Sequence, residues 1–365
     1  MIFKRIQTKK HKKKMKQITR MLCIGLAAMA FAACSSEEEK KENVTINALV
    51  LNEGSWGNSN ASITALDTHN GGTRSNWFSN ANGRNLGDVA QDIVKYGSKV
   101  YATVTFSNSL EVIDPATGNA THVDMGDRNP RHIAADGGKL YITCYNPCSV
   151  VRIDTATLEI EATCHLGQYH PEGIAIVGGK AFVASSITAD YSSYDDKLYV
   201  VDLASFANPT TVTVGLNAST VKAIDNTKVL VCYAGDYGEN LGGSAIVNTN
   251  TLEVTQTNLE LAGCTTYNGT VYAYASSWTE DPDSGDWNQT VGFFQLNPNT
   301  LASSPISALS GIASPYGIDI DPSNGDIYVC ESISGANGDL HCFTKNGEKR
   351  FTSEVGVFPK KVIFL

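Results

Sequence analysis

NPRHIAADGGKLYITCYNPCSVVRIDTATLEIEATCHLG, Asn129 to Gly167, reads as four short strands separated by turn clusters. The runs Arg131–Ala135, Lys139–Cys144, Ser149–Asp154 and Glu159–His165 are rich in β-branched and aromatic side chains, which suit a pleated, half-buried surface. Asp136-Gly137-Gly138 supplies residues that tolerate the positive φ angles of a tight hairpin. Asp154-Thr155-Ala156-Thr157 supplies a carboxylate able to accept its own downstream backbone N–H groups.

Working outward, the same turn chemistry recurs. The first turn reappears at Tyr96-Gly97, Gly178-Gly179, Asp225-Asn226, Asn268-Gly269 and Asn324-Gly325. The second reappears at Asp67-Thr68-His69, Asp114-Pro115-Ala116-Thr117, Asp202–Ser205, Asn248–Thr251 and Asn297–Thr300, with a weaker copy at Thr344–Gly347. A Pro-x-x-apolar start recurs at Pro130, Pro171, Pro315 and Pro359. Four strands repeating every roughly 40–50 residues specify a β-propeller. Complete units begin near Gln91, Pro130, Pro171, Ala218, Ala262 and Pro315. Two fragments remain: Ile46–Asn52, Ser62–Asp67 and Arg74–Phe78 at the front, and Pro359–Leu365 at the back. Joined, they make a seventh blade. The expected fold is therefore all-β, a seven-bladed propeller of four antiparallel strands per blade over residues 45–365. The C-terminal strand closes it and leaves no open sheet edge.

Residues 1–20 are basic and lack acids, Met21–Ala33 is apolar, and Cys34 follows. The apolar run is shorter than the ~20 residues a spanning helix needs. A charged region, a short apolar region and small residues before a cleavage point describe a secretory leader over residues 1–33. Phe31-Ala32-Ala33-Cys34 resembles the bacterial lipobox, with Cys34 as the lipidated residue. SSEEEKKE, residues 35–42, is a charged tether expected not to fold (residues 34–44). It is similar to the acidic signal that sends lipoproteins to the cell surface, so the expected location is the outer membrane, anchored through Cys34 and facing outward.

Nine of the 28 Lys and Arg precede Cys34 and no acid does, leaving 19 basic against 37 acidic residues, a formal −18. That charge argues against nucleic acid and anionic lipid as partners, leaving the lipid anchor as the membrane contact. Beyond Cys34 lie Cys144, Cys148, Cys164, Cys232, Cys264, Cys330 and Cys342. Cys144, Cys232 and Cys330 fall near the end of the second strand in three repeats, where they act as small apolar residues. Cys144 and Cys148 flank a Tyr-Asn-Pro turn and are close enough in sequence to bridge.

In an up-and-down blade, second-to-third loops and blade connections share one face of the disc. Those loops are Gly54–Ala61, Phe106–Ser109, Tyr145–Cys148, Ser185–Lys197, Ala234–Gly243, Ser276–Thr290 and Ser332–Gly338. They hold Trp56, Phe106, Asn108, Tyr145, Asn146, Tyr191, Tyr194, Asp236, Tyr237, Trp278 and Trp287. The connections add Arg131, Tyr169, His170, Tyr316 and Phe358. Rings interleaved with amides and carboxylates make a platform for a large, partly flat ligand with many hydrogen-bonding edges. Capping of the loops by their own aromatics is the plainer alternative. These residues are the candidate ligand-binding set; no catalytic or metal-binding residue is assigned.

The sequence contains no G-x-S-x-G elbow, H-E-x-x-H, phosphate loop or dinucleotide fingerprint. Its Cys and His spacing matches no zinc site. Asp281–Asp286 (DPDSGD) is oxygen-rich but departs from the EF-hand order, and reads as a solvated loop tip. His132, Glu172 and Asp319 fall on first strands beside the central channel, where satisfied polar groups are the ordinary outcome.

LVLNEGSWGNSNASITALD (Leu49–Asp67), VYATVTFSNSLEVIDPATG (Val100–Gly118) and the lipoprotein leader together resemble the YncE-like propeller lipoproteins of gut Bacteroidota. The best-understood members are the cobalamin-capturing surface lipoproteins of the BtuG type. The resemblance spans the mature chain. It implies a non-enzymatic protein without a cofactor, which captures cobalamin or a related corrinoid and passes it to a TonB-dependent outer-membrane transporter. Two alternatives stay open: a surface propeller for a glycan, peptide or other tetrapyrrole, and a metal-dependent enzyme of the lactonase type.

Overall fold

The computed structural model describes residues 45–280, 285 and 287–365, without the side chains of residues 278–280, 287 and 288. The leader, Cys34, the tether and the DPDSGD tip other than Gly285 lie outside the described residues. The chain forms seven four-stranded antiparallel sheets. Blade 1 combines the C-terminal strand Pro359–Phe364 with Ala48–Asn52, Ser62–Leu66 and Thr73–Arg74. The innermost strands of blades 2 to 7 are Ala90–Tyr96, Pro130–Asp136, Tyr169–Val177, Ala218–Asp225, Gly263–Tyr267 and Pro315–Ile320. The closure expected from the sequence is present: Ala48 pairs with Phe364, Leu49 with Ile363 and Val50 with Val362.

The turns form as their residues dictate. Gly137 and Gly138 take φ of 55° and 77°, which a side chain would make costly. On the same face, Asp154 Oδ1 accepts the N–H groups of Ala156 (2.8 Å) and Thr157 (2.9 Å). Asp114, Asn248 and Asn297 cap their own turns in the same way.

The core is seven apolar layers, one in each seam between neighbouring blades. Strand alternation makes this possible, because successive residues face opposite neighbours. Leu49, Leu51 and Ile363 of blade 1 enter the seam with blade 2, whereas Ala48, Val50 and Val362 enter the seam with blade 7. Cys144, Cys232 and Cys330 are buried in three of these layers, as their repeat position implied.

Two strand expectations are corrected. Blade 1's fourth strand is two residues long, Thr73–Arg74, and Trp77–Asn82 is a helix rather than its continuation. That helix drives Trp77 and Phe78 into the seam with blade 2. Asn82 then clips it to blade 2 by bonding Gly118 O (2.9 Å) and Ala120 N (2.8 Å). In blade 6 the hairpin ladder continues through Glu280↔Trp287, so Trp278 and Trp287 sit on strands and not in a loop.

Candidate functional site: the loop face and the mouth of the channel

The large apolar side chains exposed among the described residues are Trp56, Phe106, Tyr191, Tyr237, Leu241 and Ile333. All six lie on second-to-third loops and hence on one face of the disc. Trp56 is 77% exposed and Tyr237 80%, so neither is spent on packing its own loop. The rings pair across blade boundaries. Trp56 of blade 1 meets Phe106 of blade 2 edge-on at 6.3 Å, and Tyr194 of blade 4 meets Tyr237 of blade 5 at 6.4 Å. Tyr191 stands 6.4 Å from His170.

Other members of the sequence-derived set hold the scaffold. Tyr145 and buried His170 stack at 3.8 Å with their planes 9° apart, and the Arg131 guanidinium lies 4.6 Å over the Tyr145 ring. Tyr316 and Phe358 pack at 5.7 Å, and Tyr169 OH lies 3.4 Å from Ser193 Oγ. Asn108 Oδ1 accepts the Asn129 N–H, and Asn146 Nδ2 donates to Asp127. Asp236 Oδ1 accepts two N–H groups of its own loop, from Gly238 and Asn240. The expectation that the whole set forms an open platform therefore narrows. His170 and the Tyr145 ring cap the structure, because packing them together removes more apolar surface from water than exposure would. The side chains of Trp278 and Trp287 fall outside the described residues.

Inside the aromatic rim lies a cavity of about 730 Å³, lined by the innermost strands and overhung by Tyr237. The residue after each blade-opening proline points into it: Arg131, Glu172, Tyr316 and Lys360, with Ser219 and Gln91 at the equivalent places. Arg131 donates two-pronged to Glu172 (3.0–3.2 Å) and also to Gln91 Oε1 (2.7 Å). Tyr145 OH donates to the same Glu172 carboxylate. Burial is the largest single influence on the Glu172 carboxyl and pushes it up, but the Arg131 charge, His132 and the Tyr145 hydroxyl together outweigh it and hold the group at about 2. Lys361 Nζ lies 2.6 Å from Asp92, Lys360 Nζ 2.8 Å from Glu53, and Tyr316 OH donates to Glu53 at 2.8 Å. Asp319 is the exception. Withdrawal from water raises its carboxyl to about 6, against the pull of Lys222 and of the Val362 N–H it accepts at 2.7 Å.

The cations Arg131, Lys222, Lys360 and Lys361 thus face the carboxylates Glu53, Asp92, Glu172 and Asp319, and the mouth is close to neutral within a strongly acidic chain. Sequence reasoning placed Glu172, His132 and Asp319 by the channel but passed over Glu53, Gln91, Asp92, Lys360 and Lys361. For Lys360, and for Gln91 at the equivalent place, the signal was available in the position that follows the repeated proline. A hollow of about 310 Å³ at the opposite end is lined by turn residues such as Asp136, Gly178 and Asn226, with no aromatic among them.

Among the described residues one grouping has metal-ligand geometry, Glu331, Asp339 and His341 on the outer part of blade 7. Glu331 is already satisfied, by the N–H groups of Ala313 and Ser314 on one oxygen and His341 Nε2 (2.8 Å) on the other. It serves as a hydrogen-bonded link between the second and third strands of that sheet.

Known structures share the architecture. A quinonprotein alcohol dehydrogenase-like protein of Bacteroides thetaiotaomicron superposes with a TM-score of 0.62, at 16% identity over 87% of this chain and 78% of that one. The dihydro-heme d1 dehydrogenase NirN, in complex with DHE, gives 0.53 at 12% identity over 87% and 75%. Kuenenia stuttgartiensis hydrazine synthase gives 0.51 at 16% identity over 68% and 74%. At these identities the likeness is one of fold alone. No curated protein sequence matches the chain. A family pattern does match over residues 47–280, from the edge of blade 1 to the end of the second strand of blade 6, and the chain belongs to that family, DUF5074, a domain of unknown function.

Proposed function

We propose that this propeller is a non-enzymatic capture protein whose loop face holds cobalamin or a related corrinoid. The observation that carries the reading is the gathering, on one face, of the six large apolar side chains that are exposed among the described residues, around a cavity of about 730 Å³. A corrin offers a broad ring for packing and a fringe of neutral amides for hydrogen bonding. The rim supplies rings, and the mouth supplies polar groups whose charges cancel. A strongly charged ligand would have to break the Arg131–Glu172 or Lys361–Asp92 pairs, and a buried charge left alone costs several kcal/mol, about 3–5. A neutral ligand leaves them intact.

In this reading the leader delivers the chain to the outer membrane, Cys34 carries the lipid, and the loop face presents its cargo to a TonB-dependent transporter. Nothing in the mouth need act as base or nucleophile. The test is direct: the purified chain is mixed with cyanocobalamin, gel-filtered, and the visible spectrum of the protein peak recorded. Stoichiometric co-elution of the red chromophore supports the reading. A colourless peak removes the corrinoid and directs attention to glycans, which the same rings could stack against.

A further inference from the structure

We infer that Cys232 and Cys264 are an oxidation-responsive pair that closes into a disulfide between blades 5 and 6. Cys232 lies near the end of the second strand of blade 5, Lys228–Tyr233, and Cys264 on the innermost strand of blade 6. Their sulfurs are 3.8 Å apart within one apolar seam, and a disulfide needs a separation of about 2.05 Å, within reach of side-chain rotation. The pairing that the sequence brought forward, Cys144 with Cys148, is not formed. Cys144 Sγ contacts Ile142 O (3.7 Å) on its own strand and Cys148 Sγ contacts Tyr145 O (3.3 Å) within the turn, so each thiol is engaged locally.

Access and chemistry both favour Cys264. It lines the central cavity, so a small oxidant arriving through the mouth reaches it. Either sulfur can donate across the contact, and an S–H held toward its neighbour stabilises one thiolate at the expense of the other, lowering the Cys264 thiol below its ordinary value and raising that of Cys232. With a peroxide as oxidant, the Cys264 thiolate attacks one peroxide oxygen, the O–O bond breaks, and the departing hydroxide leaves as water, giving a sulfenic acid. Cys232 sulfur then attacks the Cys264 sulfur, the S–O bond breaks and a second water leaves. Two thiols and one hydrogen peroxide become one disulfide and two waters. The bond would fasten the root of the Ala234–Gly243 loop, which carries Tyr237, to the neighbouring blade.

The experiment treats the purified full-length chain with stoichiometric hydrogen peroxide, blocks the remaining thiols, and maps peptides by mass spectrometry without reductant. The expected product is one linked species containing Cys232 and Cys264, released by reductant. Cys232→Ser should leave a Cys264 sulfenic acid that dimedone traps, and should abolish the rise in melting temperature that oxidation gives the parent. Unlinked Cys232 and Cys264, a Cys144–Cys148 species in their place, or an equal melting shift in Cys232→Ser would overturn the inference.

Discussion

Removing residues 359–365 deletes the strand that completes blade 1, and its cost follows from what that strand touches. Val362 and Ile363, 3% and 8% exposed, fill the seams with blades 7 and 2 respectively. Burial of each side chain is worth about 1.5–3 kcal/mol, so the pair contributes about 3–6 kcal/mol. Lys361 leaves with the strand, stripping the largely buried Asp92 of the ammonium 2.6 Å away. Breaking a buried pair from one side costs about 3–5 kcal/mol. These two effects reach about 6–11 kcal/mol against a total stability of about 5–15 kcal/mol for an ordinary domain. The loss of Lys360 from Glu53 and the bared edge of Ala48–Asn52 come on top. The truncated chain should therefore lack a cooperative thermal transition by circular dichroism and elute as aggregate or expanded chain. Ile363→Val, which removes one methylene, should fold and lose only about 0.5–1.5 kcal/mol. A truncated protein that melts cooperatively within a few degrees of the intact one would refute the closure argument.

Trp77→Ala should cost about 3–5 kcal/mol in chemical denaturation, because the buried indole fills the seam between blades 1 and 2; a loss below 1 kcal/mol would show that the helix is peripheral. Glu172, held at about 2 in the fold, contributes stability above its unfolded value near 4.5 that is lost as pH falls from there toward 2. Glu172→Gln should accordingly flatten the acid limb of the stability profile. Asp319 has the opposite sign: its carboxyl is raised to about 6, so the native state holds a proton that the unfolded chain has released, and stability declines as pH rises from about 4 through 6. Asp319→Asn should remove that decline, gaining on the parent at pH 8 relative to pH 4; parallel melting curves would contradict it. Tyr237→Ala, at an exposed position, should leave the melting temperature unchanged and weaken cyanocobalamin binding by about 1–3 kcal/mol, roughly 5- to 150-fold.

Architecture was legible because a propeller repeats its turn chemistry. Asp154, Asp114, Asn248 and Asn297 each cap their own backbone, and their recurrence in the sequence marks the third-to-fourth corners. Closure followed from counting strands. Arg74–Phe78 misled because Trp and Phe suit strands by propensity, yet burial in a seam is what they seek, and a helix ending at Gly83 (φ 65°) delivers it. The loop face was legible in part. Chain topology fixes which face a loop joins, so Trp56, Phe106, Tyr191 and Tyr237 were placed correctly. Whether a ring stands free or folds inward depends on partners distant in sequence. His170 found Tyr145, and the Arg131–Glu172 bond joins residues of two blades. No local pattern around His170 contains that information.

Whether one face of the disc receives the ligand is read directly by hydrogen exchange measured with and without cyanocobalamin. Binding at the rim should protect amides in residues 54–61, 106–109, 185–197 and 234–243. The turns of the opposite face, residues 114–118, 154–157, 202–206 and 248–252, should exchange unchanged. Protection confined to those opposite turns, or no protection anywhere at saturating ligand, would contradict the account.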